Sequence, residues 1–152
     1  MKRQKCFRYI SILFFLLHVQ IAEAADPLLS NNLVAVQGYD TVAYFVEGRA
    51  IPGSGNHVYR HEGITYIFAT REHLNQFKEA PEKYIPQYGG FCAYAIAQGK
   101  KVVADPLAWK IVAGKLYLNL NRKVQLIWEK QLAEYIKEAD EIWPNLKDQP
   151  FD

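Results

Sequence analysis

Two glycine-containing turns constrain the fold of this chain more than any other feature. The first turn is Glu62-Gly63 and the second is Ala113-Gly114, and each separates two short runs rich in β-branched and aromatic residues. Runs of this composition on either side of a tight glycine turn are typical of β-hairpins. The sequence therefore predicts two antiparallel hairpins, whose strands fall in residues 57–61, 64–68, 109–112 and 116–119.

Helices are predicted before, between and after the hairpins. Asp40 can cap a short helical turn over residues 41–45, and Thr70 can cap a helix over residues 71–79. Residues 91–97 are predicted to be a short helix. Apolar residues spaced three and four apart then indicate one long helix that Asn121 caps and Pro144 ends. We therefore expect an α+β fold, a small single domain with two β-hairpins, short helices and a long C-terminal helix.

The N-terminal residues 1–24 have the pattern of a signal peptide. A basic start is followed by the mostly apolar residues 10–21, and Ala22-Glu23-Ala24 fits a small-x-small cleavage site. We expect cleavage near Ala24/Ala25, a periplasmic or secreted product and no membrane span after cleavage. The alternative is an uncleaved membrane anchor, but the apolar run is shorter than the roughly 20 residues that a span needs.

Signal cleavage also changes the charge of the chain. The full sequence has 18 Lys and Arg against 16 Asp and Glu, and loss of the signal leaves 14 against 15, a net charge of −1. No basic block then remains, which excludes a nucleic-acid partner. The rest is predicted to form one domain over residues 33–146, with a flexible tail over residues 147–152.

Cys92 is the candidate functional residue that the sequence singles out. Cys6 precedes the apolar run and should leave with the signal, so Cys92 would be the one thiol of the mature chain. Gly89-Gly90 allows a sharp turn before the predicted helix, which would place Cys92 in its first turn and lower the pKa of its thiol. Such a thiolate would suit a metal ligand or a nucleophile. The alternative is a small core residue between aromatic side chains.

Four further residues are predicted to form a binding site with Cys92. They are Tyr39, Asp40, Tyr88 and Tyr94, and Asp40 is also a candidate metal ligand beside Cys92. The histidines are weaker candidates for metal ligands. His57 and His61 would lie about 13 Å apart along one strand, too far to share one metal ion. His73 lies at a helix start and is expected to be solvated. The sequence contains no His-x-x-x-His pair on a predicted helix, no Cys-x-x-Cys pair and no Ser/His/Asp signature.

Four segments, taken in order, resemble the YHS domain family, and most of all its secreted bacterial branch. They are GYDTVAYF at residues 38–45, YIFAT at residues 66–70, FKEAPEKY at residues 77–84 and QYGGFCAYA at residues 87–95. The resemblance covers roughly residues 33–146. It implies a small α+β domain, and the wider family includes metal-handling modules attached to copper-transporting pumps.

The chain departs from the family where the family's cysteines are expected. Gly38-Tyr39-Asp40 stands at the first cysteine-bearing turn, and Ala69-Thr70 follows Phe68 where a Phe-Cys pair would be. Metal ligation therefore cannot be transferred from the resemblance. A site would have to form around Cys92 with Asp40, Tyr39 or a histidine.

Three functions follow as hypotheses. The first is a periplasmic protein that binds or handles a transition metal, copper, zinc or nickel, near Cys92, and whose partner would be the metal ion or another periplasmic protein. The second is a non-catalytic binding or structural module in which Cys92 is a core residue. The third is a thiol-based redox protein. An enzyme is the less favoured class.

Overall fold

A computed structural model describes residues 34–150, and the predicted signal peptide with Cys6 lies outside them. Within this range the strands are β1 (Val58–His61), β2 (Ile64–Ile67), β3 (Asp105–Val112) and β4 (Lys115–Asn119). The helices are α1 (Ala43–Val46), α2 (Arg71–Glu79), α3 (Pro81–Tyr84), α4 (Ala93–Ala97), α5 (Arg122–Lys130) and α6 (Leu132–Leu146). Two 3-10 turns cover Ala35–Gly38 and Gln87–Gly90. The α+β class and the long C-terminal helix are confirmed.

Both predicted hairpins are present, and each forms its own two-stranded antiparallel sheet. Strand β1 pairs with β2 and β3 pairs with β4, and the turns between them are the predicted ones. Glu62 and Ala113 have φ of 48° and 49°, and the glycine after each also has a positive φ. Two successive left-handed residues match the right-handed twist of hairpin strands, which explains why glycine occupies the second position.

Strand β3 leaves the regular register near its beginning. Trp109 pairs with Leu118, but Asp105 pairs with Asn119, so residues 106–108 bulge out of the ladder. The Tyr44 hydroxyl donates a 2.9 Å hydrogen bond to the Pro106 carbonyl and fixes the bulge against α1. The bulge therefore links the second hairpin to the N-terminal part of the domain.

Side-chain caps set the starts of the two main predicted helices. Thr70 Oγ1 accepts a 3.1 Å hydrogen bond from the His73 amide at the start of α2. Asn121 Oδ1 accepts a 2.9 Å bond from the Val124 amide at the start of α5. Each cap satisfies an amide that has no partner inside the helix, so both starts agree with the sequence.

The C-terminal helical region differs from the prediction in two ways. It breaks at Gln131, whose φ of −132° and ψ of 42° are not helical, and so forms α5 and α6 instead of one helix. Pro144 does not end α6, which continues to Leu146. Proline removes a single backbone donor in this last turn, and the packing of Leu146, which is 8 % exposed, holds the turn against the core.

The buried side chains form two adjoining clusters. The first lies between the first hairpin, α1, α2 and one side of β4, and it includes Tyr44, Phe68 and Phe77. The second lies between α4, β4 and the C-terminal helices, and it centres on Trp128. Within residues 34–150, no helix is long and apolar enough to cross a membrane.

Candidate functional site

The segment that precedes Cys92 is a left-handed turn. Tyr88, Gly89 and Gly90 have φ of 55°, 60° and 80°. A second such turn, at Val36 and Gln37, has φ of 47° and 53°. The two turns flank a cavity of about 30 Å³, which is room for about one water molecule. Glycine at positions 89 and 90 suits this backbone path, because a left-handed conformation costs most residues with a side chain free energy.

Cys92 lies immediately before α4, and the predicted helix over residues 91–97 is wrong at its start. Phe91 and Cys92 are extended, and the Cys92 amide donates a 2.9 Å hydrogen bond to the Val102 carbonyl. The side chain is 1 % exposed and belongs to the first core cluster. Its sulfur lies 3.8 Å from Oδ1 of Asn119, which is itself fully buried.

The predicted lowering of the thiol pKa is also wrong. Burial raises the pKa of the Cys92 thiol, and the backbone N–H groups of Ala95, Leu120 and Tyr94 offset only part of this effect. The cost of removing a thiolate from water exceeds the stabilisation that nearby amides provide. Helix α4 has only five residues, so its dipole is weak. Cys92 is therefore held as a neutral thiol at neutral pH.

Asp40 is fully buried, and both of its carboxylate oxygens accept hydrogen bonds. Oδ1 accepts from the amides of Val42 at 2.9 Å and Ala43 at 3.2 Å, so Asp40 satisfies two amides at the start of α1, although the helix itself begins at Ala43, two residues later than predicted. Oδ2 accepts from the Ala69 amide at 2.7 Å and lies 2.7 Å from Nδ1 of His73. Asp40 thus joins α1, the end of the first hairpin and α2.

His73 is not solvated, which corrects the expectation from the sequence. It is 6 % exposed, because its position four residues before Phe77 places it on the buried face of α2. Nδ1 faces Asp40, and Nε2 lies 4.0 Å from Oε1 of the half-exposed Glu47. The spacing to Phe77 was the sequence signal for this role, but the partner Asp40 is 33 residues away and cannot be inferred from it.

The three predicted tyrosines lie in different surroundings. Tyr39 is partly buried and forms an isolated bridge with Pro52. Tyr88 is buried, and its hydroxyl donates to the Asp140 carboxylate at 2.8 Å. Burial and this hydrogen bond raise the pKa of Tyr88. Tyr94 packs edge-on against Tyr135 with ring centroids 5.1 Å apart.

Of the predicted site residues, the structure brings Tyr94 to Cys92. The Tyr94 amide donates to Asn119 Oδ1 at 3.4 Å, the same atom that the Cys92 sulfur faces. Asn119 was missed by the sequence analysis, because the buried run Leu116–Asn119 of β4 shows no alternation that would mark it. Its Nδ2 atom is buried and has no hydrogen-bond partner in the part of the chain that is described.

These residues do not fit a metal site built from Cys92 and Asp40. A metal on Asp40 would displace hydrogen bonds from buried backbone donors and leave them unsatisfied, which is costly. The Cys92 sulfur is a buried neutral thiol, whereas metals bind the thiolate. Across residues 34–150, no group of three or more His, Cys, Asp or Glu side chains is arranged to hold a metal ion.

Comparisons of the chain with protein-family models, with curated proteins and with solved structures find no match. The resemblance to the YHS domain family therefore stays a prediction from the four sequence segments.

Proposed function

We propose that this chain is an exported, YHS-like module with a non-catalytic binding or structural role, in which Cys92 is a core residue. The observation that carries the proposal is the burial of the Cys92 sulfur, 1 % exposed, against a buried asparagine. A nucleophile or redox thiol needs access and thiolate character. Cys92 has neither, since burial raises the pKa of its thiol.

The surrounding segment supports the same proposal. The glycines of the Gln87–Gly90 turn serve the left-handed backbone, and Tyr88 fastens the turn to α6 through Asp140. Each conspicuous residue of the motif thus has a folding role. Structural roles therefore account for the residues of this motif, and none of them requires a bound substrate.

Thiol labelling in the native state tests the proposal. We expect Cys92 in the folded protein to resist an aromatic disulfide reagent, and to react fully once urea unfolds the chain. A Cys92→Ala variant, with Cys6 retained, separates the signals of the two cysteines. Native labelling of Cys92 as fast as in the unfolded chain would refute the core role.

Transition-metal binding is a second candidate, favoured by His73 more than by Cys92. A histidine that donates one ring N–H to a carboxylate is the usual arrangement of a metal-bound histidine. Asp40 accepts from Nδ1 of His73, which directs the lone pair of Nε2 toward Glu47, 4.0 Å away. Two protein ligands are fewer than the three of most catalytic zinc sites, so affinity for Zn²⁺, Cu²⁺ or Ni²⁺ would be weak.

Calorimetric titration of these three ions separates the two candidates. Binding that Glu47→Gln abolishes and Cys92→Ala preserves would favour a metal site at His73. Metal binding that is lost in Cys92→Ala would instead support the metal site around Cys92 that the sequence predicts. Absence of binding to the unsubstituted protein at millimolar metal would leave only the non-metal module.

A further inference from the structure

The solvent-facing side of α5 has an unusual composition. Four residues at helical spacing of three and four form it, and we call them the α5 stripe: Lys123, Leu126, Ile127 and Lys130. Leu126 is 48 % exposed and Ile127 is 37 % exposed, and both lysines are exposed. Two partly exposed aliphatic side chains thus lie side by side between two cations.

The buried side of the same helix is already complete. Trp128 is fully buried and Gln125 is 3 % exposed, and both face the body of the domain. Gln125 Nε2 donates to the Trp109 carbonyl at 2.7 Å, which fixes the rotation of the helix. The stripe is therefore not a core face that is displaced outward, and its two apolar residues belong to neither core cluster.

The two charged residues of the stripe itself are both lysines. The acidic residue of α5, Glu129, is not on the stripe, and its carboxylate lies 3.4 Å from Lys110 Nζ and 3.7 Å from an Arg122 guanidinium nitrogen. Glu129 is therefore already paired with these two cations. Lys123 and Lys130 keep the stripe positive at both ends.

This charge pattern decides among the occupants of the stripe. If the stripe paired with the same stripe of a second copy, Lys123 and Lys130 would face each other, or each would face itself, so like charges would meet in either direction. The occupant must be anionic and must also accept two aliphatic side chains. The surface of an anionic phospholipid bilayer does both, since lysines snorkel to the headgroups while aliphatic side chains enter the boundary of the acyl region.

We propose that the α5 stripe is a peripheral binding surface for anionic phospholipid membranes. Each lysine near an anionic surface raises partitioning by about fivefold, so two lysines and two aliphatic side chains give weak, reversible association. The proposal is independent of the role of Cys92, because none of the four side chains of the stripe contributes to its surroundings.

Lysine acylation footprinting on the full chain tests the surface locally. With vesicles of phosphatidylcholine and phosphatidylglycerol, we expect Lys123 and Lys130 to be protected from acylation. The exposed Lys78 and Lys83, on α2 and α3, should remain reactive. Protection should disappear at high salt and with pure phosphatidylcholine vesicles.

Variants complete the test through vesicle co-sedimentation. Lys123→Glu with Lys130→Glu should reduce partitioning by at least about tenfold, whereas Lys78→Glu with Lys83→Glu makes the same change of net charge and should leave it nearly unchanged. Leu126→Ser with Ile127→Ser should also reduce it, and because both side chains are more than a third exposed the melting temperature should fall only slightly. All variants share residues 1–24, so differences between them report the stripe.

Three outcomes would overturn the proposal. One is equal protection of all four lysines, or none. Another is protection that appears without lipid and grows with protein concentration, which would indicate a second copy. The third is protection of Lys123 and Lys130 by an acidic peptide but not by anionic vesicles, which would assign the stripe to an acidic protein partner.

Discussion

Nδ1 of His73 lies 2.7 Å from Oδ2 of Asp40, and the two side chains are 7 % and 0 % exposed. This contact joins a helix to a turn 33 residues earlier in the chain. Asp40 also accepts hydrogen bonds from three backbone amides. Asp40, a candidate metal ligand by sequence, is thus the residue that holds α1, the end of the first hairpin and α2 together.

Replacing this carboxylate should strongly destabilise the fold. In Asp40→Asn, the amide nitrogen would face either a backbone donor or His73, and one buried group would lose its acceptor. We expect the free energy of unfolding to fall by about 3–5 kcal/mol, as for other buried pairs that lose one member. Urea unfolding measures it. The control is Glu72→Gln, which changes an exposed carboxylate on α2. If Asp40→Asn lowers the free energy of unfolding no more than Glu72→Gln does, the role assigned to Asp40 is contradicted.

Gly53 and Gly55 should respond very differently to alanine. A Cβ on Gly53 would lie 2.6 Å from the backbone carbon and oxygen of Ile67, whereas a Cβ on Gly55 would meet nothing within 4 Å. The Gly53 amide also donates to the Gly38 carbonyl at 2.8 Å, so the loop has little room to move. We expect Gly53→Ala to lower the free energy of unfolding by about 1–3 kcal/mol or more.

Thermal unfolding of the two alanine variants checks this comparison. Gly55→Ala should melt at or slightly above the temperature of the unsubstituted protein, because alanine reduces the entropy of the unfolded chain. Equal melting temperatures of the two variants would show that the loop does not pack against β2 as closely as described.

The Tyr88 hydroxyl should contribute measurably to the attachment of α6. It donates to Asp140 at 2.8 Å and approaches the Ile136 carbonyl at 3.3 Å. Tyr88→Phe keeps the buried ring and removes these contacts, so we expect a loss of about 1 kcal/mol in the free energy of unfolding. Tyr135→Phe, which removes an exposed hydroxyl, is the matched control. A loss no larger than the control's would mean that ring packing alone holds the turn.

Local patterns predicted the secondary structure well, because their causes are local. The turns at Glu62-Gly63 and Ala113-Gly114 need left-handed residues, and the caps at Thr70 and Asn121 need a side-chain oxygen near the first helix amides. Each requirement is visible within a few residues of sequence. The same holds for Asp40, whose capping bonds lie two and three residues away.

The site could not be predicted as well, because it depends on contacts between distant segments. The thiol of Cys92 was expected to be acidic from its position near a helix start, but its pKa is set by burial beneath other elements. The Asp40–His73 contact and the Cys92–Asn119 contact span 33 and 27 residues. The break at Gln131 was missed for a related reason, since the apolar spacing continues across it.

The stability of the protein should fall as the pH rises through the alkaline range, first because of Cys92. Burial raises the pKa of its thiol above the value of about 8.5 for an unfolded chain. Above that value the unfolded chain releases a proton that the folded chain retains, so unfolding becomes more favourable with each step in pH. The contribution is complete below about pH 8.5 and is lost as the pH approaches the raised folded value.

Buried tyrosines extend the same trend to higher pH. Burial raises the pKa of Tyr66 to about 12, and it raises the pKa values of Tyr44 and Tyr88 as well. Their contributions are lost only above about pH 10, the value for an unfolded tyrosine. Urea unfolding from neutral pH upward should therefore show a free energy of unfolding that begins to decline at about pH 8.5 in the unsubstituted protein.

Cys92→Ala isolates the thiol in this titration. The variant starts from a lower free energy of unfolding because of the cavity it creates. We expect that value to stay flat until about pH 10, where the tyrosines begin to ionise. Cys6 is present in both proteins and cancels in the comparison. The comparison rests on the slope of the free energy of unfolding against pH between about pH 8.5 and pH 10. Equal slopes for the two proteins in this range would mean that the Cys92 thiol ionises as readily in the folded chain as in the unfolded one.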